Sequence, residues 1–312
     1  MSVSPRVSIF VLCYNTGARL WDTLSSIQQQ TFRDYELIVA DDCSTDNSVA
    51  QVSEMLEQLA LPAKMIRNGQ NLGIAKSLNN ALKVANGRYV ALIADDTWHE
   101  TYLAESIAAL EQQDEAGYNF VFSKCRTFNK VSGSYENEID FFEVCQKAGY
   151  PRAAQLKTQK TDGGTYPLPK GMLFDLLFWT NPVVSFCTVM NRRLLLDCGG
   201  FDEGYVMEDF PTWINLGRKV NGIYIDKALG TYIRYHTNAS GAFAEKIKHD
   251  TFRKRRSLIP AITFPDTRQM MINRVIDEIR QQEGKSLFKI PRLAYWYLQK
   301  IQVMIENKAK QK

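Results

Sequence analysis

A chain of 312 residues, 45% hydrophobic and 23% charged, has ordinary globular composition and is long enough to bury a core without disulfides or zinc. Its net charge of +4 sits at one end: residues 285–312 carry seven Lys or Arg against Glu306 alone, a charge of +6, which leaves −2 for residues 1–284. The body is therefore not basic, which argues against nucleic acid as its partner.

The order of short apolar runs and amphipathic stretches predicts an α/β fold with a mostly parallel sheet flanked by helices. Arg6 to Cys13 reads as a buried strand, Tyr14 to Gly17 as a turn, and Ala18 to Gln30 as a helix with Leu20, Trp21, Leu24 and Ile27 on one side. Tyr35 to Ala40 is the second strand, followed by a helix that Ser44 or Thr45 can cap. Ala63 to Arg67 is a third strand, Asn71-Leu72-Gly73 opens a helix that Gly87 stops, and Arg88 to Ile93 is the fourth strand. A helix follows from Tyr102 to Leu110. After Gly117 the pattern loosens. Asn119 to Phe122 reads as a strand, and Arg126 to Lys170 as a long irregular segment of the kind that forms binding loops or lids. Regular structure resumes with helices over Gly171 to Phe178, Arg192 to Cys198 and Phe210 to Val220, and strands over Ser185 to Met190, Ile223 to Ile225 and Thr231 to Arg234. Residues 242–283 read as charged helix. The expected organisation is a domain over 1–240, with halves 1–115 and 116–240, and a helical extension over 241–312.

Acidic pairs follow two of the strands, Asp41-Asp42 and Asp95-Asp96. In a βα series they fall on the carboxyl edge of the sheet, where open α/β sheets bind ligands. Asp95 and Asp96 can ligate Mg²⁺ or Mn²⁺ shared with substrate phosphates, or can simply cap the next helix. Asp42 can accept a hydrogen bond from a nucleobase or ribose, or cap its own helix; Tyr14 can stack on a base, or pack at the core edge. Glu208-Asp209 can supply a general base or merely favour a helix dipole. His236 can contact a metal or a diphosphate, or be structural. Trp179 can stack on a sugar ring or anchor the core, with Asn181 close by in sequence. Dinucleotide, P-loop, α/β-hydrolase and zinc-protease motifs do not occur.

Together these pieces resemble family 2 glycosyltransferases. The resemblance rests on Val7 to Asn15, Ser26 to Phe32, Tyr35 to Asp46, Asn71-Leu72-Gly73 with Asn79, and Gly87 to Trp98. It continues through Gly200 to Glu203, Glu208-Asp209 and Tyr235 to Asn238, so that it spans roughly residues 5–240. It implies a GT-A fold and inverting transfer from a nucleotide-diphosphate sugar, UDP-linked, to a glycan or lipid-linked acceptor in cell-surface polysaccharide synthesis. On it, Tyr14, Asn15, Asp42, Asn71 and Asp95 hold the donor, and Asp95, Asp96 and His236 hold Mn²⁺ or Mg²⁺. Asp209 is the base with Glu208 beside it; apart from the resemblance, the acceptor pocket is expected to draw on residues 126–170 and on Trp179 and Asn181. One departure is that Ile93 or Ala94 stands where the family's DxD motif has its first acid.

The basic tail mixes Leu287, Phe288, Ile290, Leu293, Tyr295, Trp296 and further apolar residues with lysines, which reads as an interfacial helix. It implies a peripheral protein at the inner face of the membrane; docking on the chain's own body or in a homodimer is the other use for such a face. Six cysteines without CxxC spacing, and no membrane-length apolar run, fit a cytoplasmic location. A sugar nucleotidyltransferase would need a basic glycine-rich loop after the first strand, which Tyr14 to Gly17 is not. A donor-binding scaffold without turnover is the remaining alternative.

Overall fold

A computed structural model describes residues 4–113, 117–161, 163–236, 243–258 and 268–273. Thr237, Asn238 and the expected interfacial tail, 285–312, lie outside the described residues.

Ten strands form one sheet: β1 (Val7–Cys13), β2 (Tyr35–Asp41), β3 (Ala63–Arg67), β4 (Tyr89–Ile93), β5 (Thr97–Trp98), β6 (Tyr118–Asn129), β7 (Ser134–Ile139), β8 (Thr165–Leu168), β9 (Thr188–Asn191) and β10 (Asn221–Arg234). The order is β3-β2-β1-β4-β9-β6-β10-β5, with β7 on β6 and β8 on β10. Strands β1, β2, β3, β4, β6 and β10 point the same way, and β9 runs against its neighbours β4 and β6. The carboxyl ends of β1, β2, β4 and β10 therefore meet on one edge.

The helices are α1 (Leu20–Gln28), α2 (Ser48–Gln58), α3 (Ile74–Val84), α4 (Tyr102–Gln112), α5 (Phe141–Lys147), α6 (Ala153–Lys157), α7 (Lys170–Trp179), α8 (Arg192–Asp197), α9 (Asp209–Gly217) and α10 (Ala244–Leu258). Strand side chains alternate between the two faces. Phe10, Ile38, Leu92, Phe120 and Tyr224 join Leu78 of α3, Phe174 of α7 and Trp213 of α9 in one core. Ile9, Val11, Val39, Ile93 and Val121 join Leu24 of α1, Val52 of α2 and Leu103 of α4 in the other. Both faces are covered, which is why β1, VSIFVLC, is apolar almost throughout.

Three expectations are corrected. The segment Arg126 to Lys170 is ordered rather than irregular: β6 runs on to Asn129, β7 folds back on it, and α5, α6 and β8 follow. Its helices are only 7 and 5 residues long, too short for a 3.6-residue period to register, although Phe141, Phe142, Cys145 and Leu156 are all buried. The strands expected at Ile223 to Ile225 and Thr231 to Arg234 are one 14-residue strand, β10, with register shifts around Ala228 that break the alternation. Neither Ser44 nor Thr45 caps α2, which starts at Ser48; Asp46 Oδ1 accepts from the Ser48 N–H instead, at 2.9 Å.

Asn79 on α3 ties down the turn after α8. Its Nδ2 donates to the Phe201 carbonyl at 2.9 Å, and its Oδ1 accepts from the Phe201 N–H at 2.8 Å. That approach requires glycine at 200: φ is +78°, and a Cβ there would stand 2.4 Å from Asn79 Oδ1. Gly200→Ala is expected to cost about 2 kcal/mol in urea unfolding, from left-handed backbone plus this clash; an unchanged midpoint would mean the turn relocates at no cost.

Candidate active site

The site is built where strand ends and helix starts converge. Tyr14 leaves β1 with its side chain 44% exposed on the carboxyl edge. Asn15 adopts φ 51°, a left-handed conformation that asparagine tolerates, and its Oδ1 accepts from the Thr45 N–H at 2.9 Å. Its own N–H donates to Ser44 Oγ at 3.0 Å, so the β1 and β2 loops hold each other.

Asp42 is buried and fixes the loop ahead of α3. Oδ1 accepts from Leu72 N–H at 2.8 Å and from Asn68 Nδ2 at 2.9 Å, and Oδ2 accepts from Gly73 N–H at 2.8 Å. The carboxylate thereby sets the backbone at the start of α3 and leaves Asn71 exposed just ahead of it. Asp41 is occupied too, accepting from Ser44 N–H and pairing with Arg67 at 3.4 Å.

The second acidic pair divides its duties. Asp96 is buried, and its Oδ1 accepts from the Ile233 N–H of β10 at 2.8 Å. Burial pushes its pKa well above the carboxylate range; Asp95 adds to the rise and the Ile233 N–H opposes it. Asp95 remains partly exposed and pairs with Arg19 Nη1 at 3.4 Å. Buried Thr23 clamps this loop by donating to the Ala94 and Asp96 carbonyls at 2.9 and 2.7 Å.

Glu208 occupies the N-cap position of α9 and Asp209 its first turn. Glu208 is 4% exposed, and its Oε2 has no hydrogen-bond partner among the described residues. Burial first, and the neighbouring Asp209 charge second, raise its pKa to about 7. Asp209 is raised as well, by burial, against the Phe210 N–H and Asn181. Asn181 Nδ2 donates to Asp209 Oδ2 at 3.1 Å, and Asn181 Oδ1 accepts from the Val183 N–H at 3.3 Å. Helix α10 braces the preceding segment: Asp250 accepts from the Val206 N–H at 3.1 Å, and Lys254 pairs with Asp202 at 2.8 Å.

A cavity of about 150 Å³ draws these parts together. Asp95, Asp96, Ser185, Glu208 and Tyr232 give it polar wall, and Leu12, Leu92 and Phe186 give it apolar wall. Asp209 does not line it. His236 is exposed beyond β10. Among the described residues, no three His, Cys, Asp or Glu side chains gather into a cation-binding group, so Asp95, Asp96 and His236 do not meet as a ready-made ligand set. Asp95, at the cavity and partly exposed, is the carboxylate suited to a hard cation that takes its other oxygens from phosphates.

Of the two roles expected for Trp179, sugar platform or core anchor, the structure has the second: it is buried, and its Nε1 donates to the Ala148 carbonyl at 2.7 Å. Asn181 lies against Asp209. Two contributors escape a sequence reading, Thr23 and Arg19. A threonine inside a helix and an arginine after a turn carry no spacing signal; only the fold brings them to the β4 loop.

Comparison with known proteins gives the same frame. The model of "Glycosyl transferase family 2" matches residues 8–200. An Escherichia coli UDP-Glc:alpha-D-GlcNAc-diphosphoundecaprenol beta-1,3-glucosyltransferase is 25% identical over 80% of this chain and 85% of that protein. A Campylobacter jejuni GalNAc(5)-diNAcBac-PP-undecaprenol beta-1,3-glucosyltransferase is 30% identical over 73% of this chain and 64% of that protein. Among solved structures, S. aureus TarS 1-349 in complex with UDP-GlcNAc superposes with a TM-score of 0.63 at 18% identity, over 95% of this chain and 79% of that one. A Pyrobaculum calidifontis mannosyltransferase in complex with GDP-Man and Mn²⁺ superposes with a TM-score of 0.55 at 17% identity, over 100% of this chain and 89% of that one.

Proposed function

The chain belongs to glycosyl transferase family 2 and has the GT-A fold, and on that premise we propose that it moves a sugar, with inversion, from a UDP-sugar to a hydroxyl of a lipid-linked glycan during assembly of a cell-surface polysaccharide. The observation that carries the reading is the shared cavity. Asp95 and Asp96 from the end of β4, and Glu208 from the start of α9, line one space although they lie far apart in the chain. The lipid-linked acceptor is supported by what the E. coli and C. jejuni relatives are named for, and the uridine donor by the name of the E. coli relative.

Tyr14, exposed on the β1 edge, stacks on the base. Asn15 and Asn71 sit on the two loops that flank it, the second held in place by Asp42. Asp209 takes the proton of the acceptor hydroxyl as that oxygen attacks the anomeric carbon on the face opposite the diphosphate. Asn181 positions the Asp209 carboxylate, and burial keeps it more basic than an ordinary aspartate. Asp95 would hold a Mn²⁺ or Mg²⁺ ion together with the donor phosphates. When bound, the cation neutralises charge on the departing diphosphate. A second reading has a specific observation in its favour: Glu208, not Asp209, lines the cavity, and its pKa of about 7 suits a general base.

No described helix is long and apolar enough to cross a membrane. We place the chain at the inner membrane surface through residues 285–312, which would bring it to a lipid-linked acceptor; pairing of two copies through the same segment is the competing use.

The test is a panel of nucleotide sugars assayed for slow hydrolysis without acceptor, with and without Mn²⁺. UDP-glucose turnover stimulated by Mn²⁺ is expected. Binding without any turnover, even with a lipid-linked acceptor supplied, would make the chain a donor-binding scaffold; no binding of any nucleotide sugar would remove the proposal.

A further inference from the structure

One charged group at the site has no part in the mechanism above. Arg19 lies in the short 3-10 turn between β1 and α1. Its Nη1 is 3.4 Å from Asp95 Oδ2, and its Cζ lies 4.4 Å from the centroid of the Tyr235 ring. The two charged side chains are 33% and 22% exposed, and of the two Asp95 lines the cavity, so the pair is open to solvent beside the site rather than sealed in the core. Tyr235 follows directly on β10, and the charges of Asp95, Asp22 and Asp96 all act on its phenol.

The geometry has two consequences. A guanidinium over an aromatic face keeps its charge and its planar fork of donors, the geometry suited to phosphate. The contact with Asp95 is longer than a charge-assisted hydrogen bond, which runs at about 2.7–2.9 Å, so it is an exchangeable pairing. Asp95 is also the carboxylate best placed for a divalent cation, and a divalent cation and a guanidinium repel each other on one carboxylate.

We propose that Arg19 is a ligand for the donor's diphosphate that Asp95 holds in reserve. Before binding, the guanidinium neutralises Asp95. A divalent cation that takes Asp95 displaces it, and Tyr235 serves as the pivot on which it turns to the phosphate oxygens. Cation and nucleotide then bind cooperatively, because each removes a cost that the other would meet alone. This inference rests on the donor-site reading given above and adds to it a residue, Arg19, and an order of events.

The test uses Arg19→Gln and Arg19→Lys in the full chain. Mn²⁺ binding alone is measured by the electron paramagnetic resonance of the unbound ion, and UDP binding at saturating Mn²⁺ by calorimetry. In Arg19→Gln, Mn²⁺ alone should bind about 2- to 5-fold tighter, because a weak competing ion pair is gone. UDP should bind about 10- to 100-fold weaker, because charged hydrogen bonds to phosphate are lost. Arg19→Lys keeps the charge but not the planar fork, and should fall between Gln and wild type for UDP; it also serves if the Gln variant does not fold. Opposite movement of the two affinities is the signature, since general damage to the site would weaken both. Unchanged UDP affinity in both variants, with or without tighter Mn²⁺ binding, would overturn the proposal while leaving the donor site intact. Wild-type protein that binds neither UDP nor Mn²⁺ would instead overturn the reading of the site itself.

Discussion

Replacing Asp209 by Asn is expected to lower sugar transfer by about 10³-fold, the usual worth of a positioned general base, with UDP-sugar affinity close to that of wild type. The substitution conserves shape, and Asn181 can still donate to the remaining amide oxygen, as it does to Asp209 Oδ2 at 3.1 Å. What disappears is the capacity to take a proton. Burial holds the wild-type carboxylate above the ordinary aspartate range, where it is a stronger base than an exposed one. Single-turnover rates and calorimetric donor affinities separate the two effects. Equal loss of both would make Asp209 a donor-binding residue, and an active Asp209→Asn beside an inactive Glu208→Gln would hand the proton to Glu208.

Glu208→Gln should stabilise the protein at pH 8 and leave it unchanged at pH 4. Burial, with the Asp209 charge behind it, raises the folded pKa of Glu208 from 4.5 to about 7. The folded chain thus retains a proton that the unfolded chain releases between those values. The associated stability is complete below pH 4.5 and is lost as pH rises to 7. The window corresponds to about 3 kcal/mol. Gln resembles the neutral acid and removes the Glu208 contribution to that dependence. Urea melts of both proteins at pH 4, 6 and 8 measure it as a difference that grows with pH. A difference that is the same at all three would mean that Glu208 is not held protonated by the fold.

The first hundred residues were legible because their apolar runs are continuous. β1, β2 and β4 are buried on both faces over most of their length, so each stands out from the polar helix surfaces between them, whereas the edge strand β3 is only partly buried. The acidic pairs were legible by position, as strand-end residues. What each carboxylate does was not. Asp42 and Asp96 both meet backbone N–H groups contributed by remote segments, Leu72 and Gly73 for one and Ile233 for the other. No local pattern encodes such partners. The stretch from Arg126 to Lys170 carries no local signal because its order is tertiary: a hairpin of β6 and β7 and two helices of a few residues, held by buried phenylalanines rather than by periodicity. Trp179 shows the same limit, since only the fold reveals that its indole faces Ala148.

The position of β9 also bears on how the chain is made. β4 ends at Ile93, and the strand that covers its open side, β9, begins at Thr188. Translation at about 5–20 residues per second leaves that apolar margin bare for roughly 5–20 s on the ribosome. A buried strand with unpaired backbone groups invites association with neighbouring nascent chains. A circular permutant opened between β4 and β9 makes residues 188–191 before β4, so that β4 emerges to a partner already present, and should raise the soluble yield without altering the finished protein.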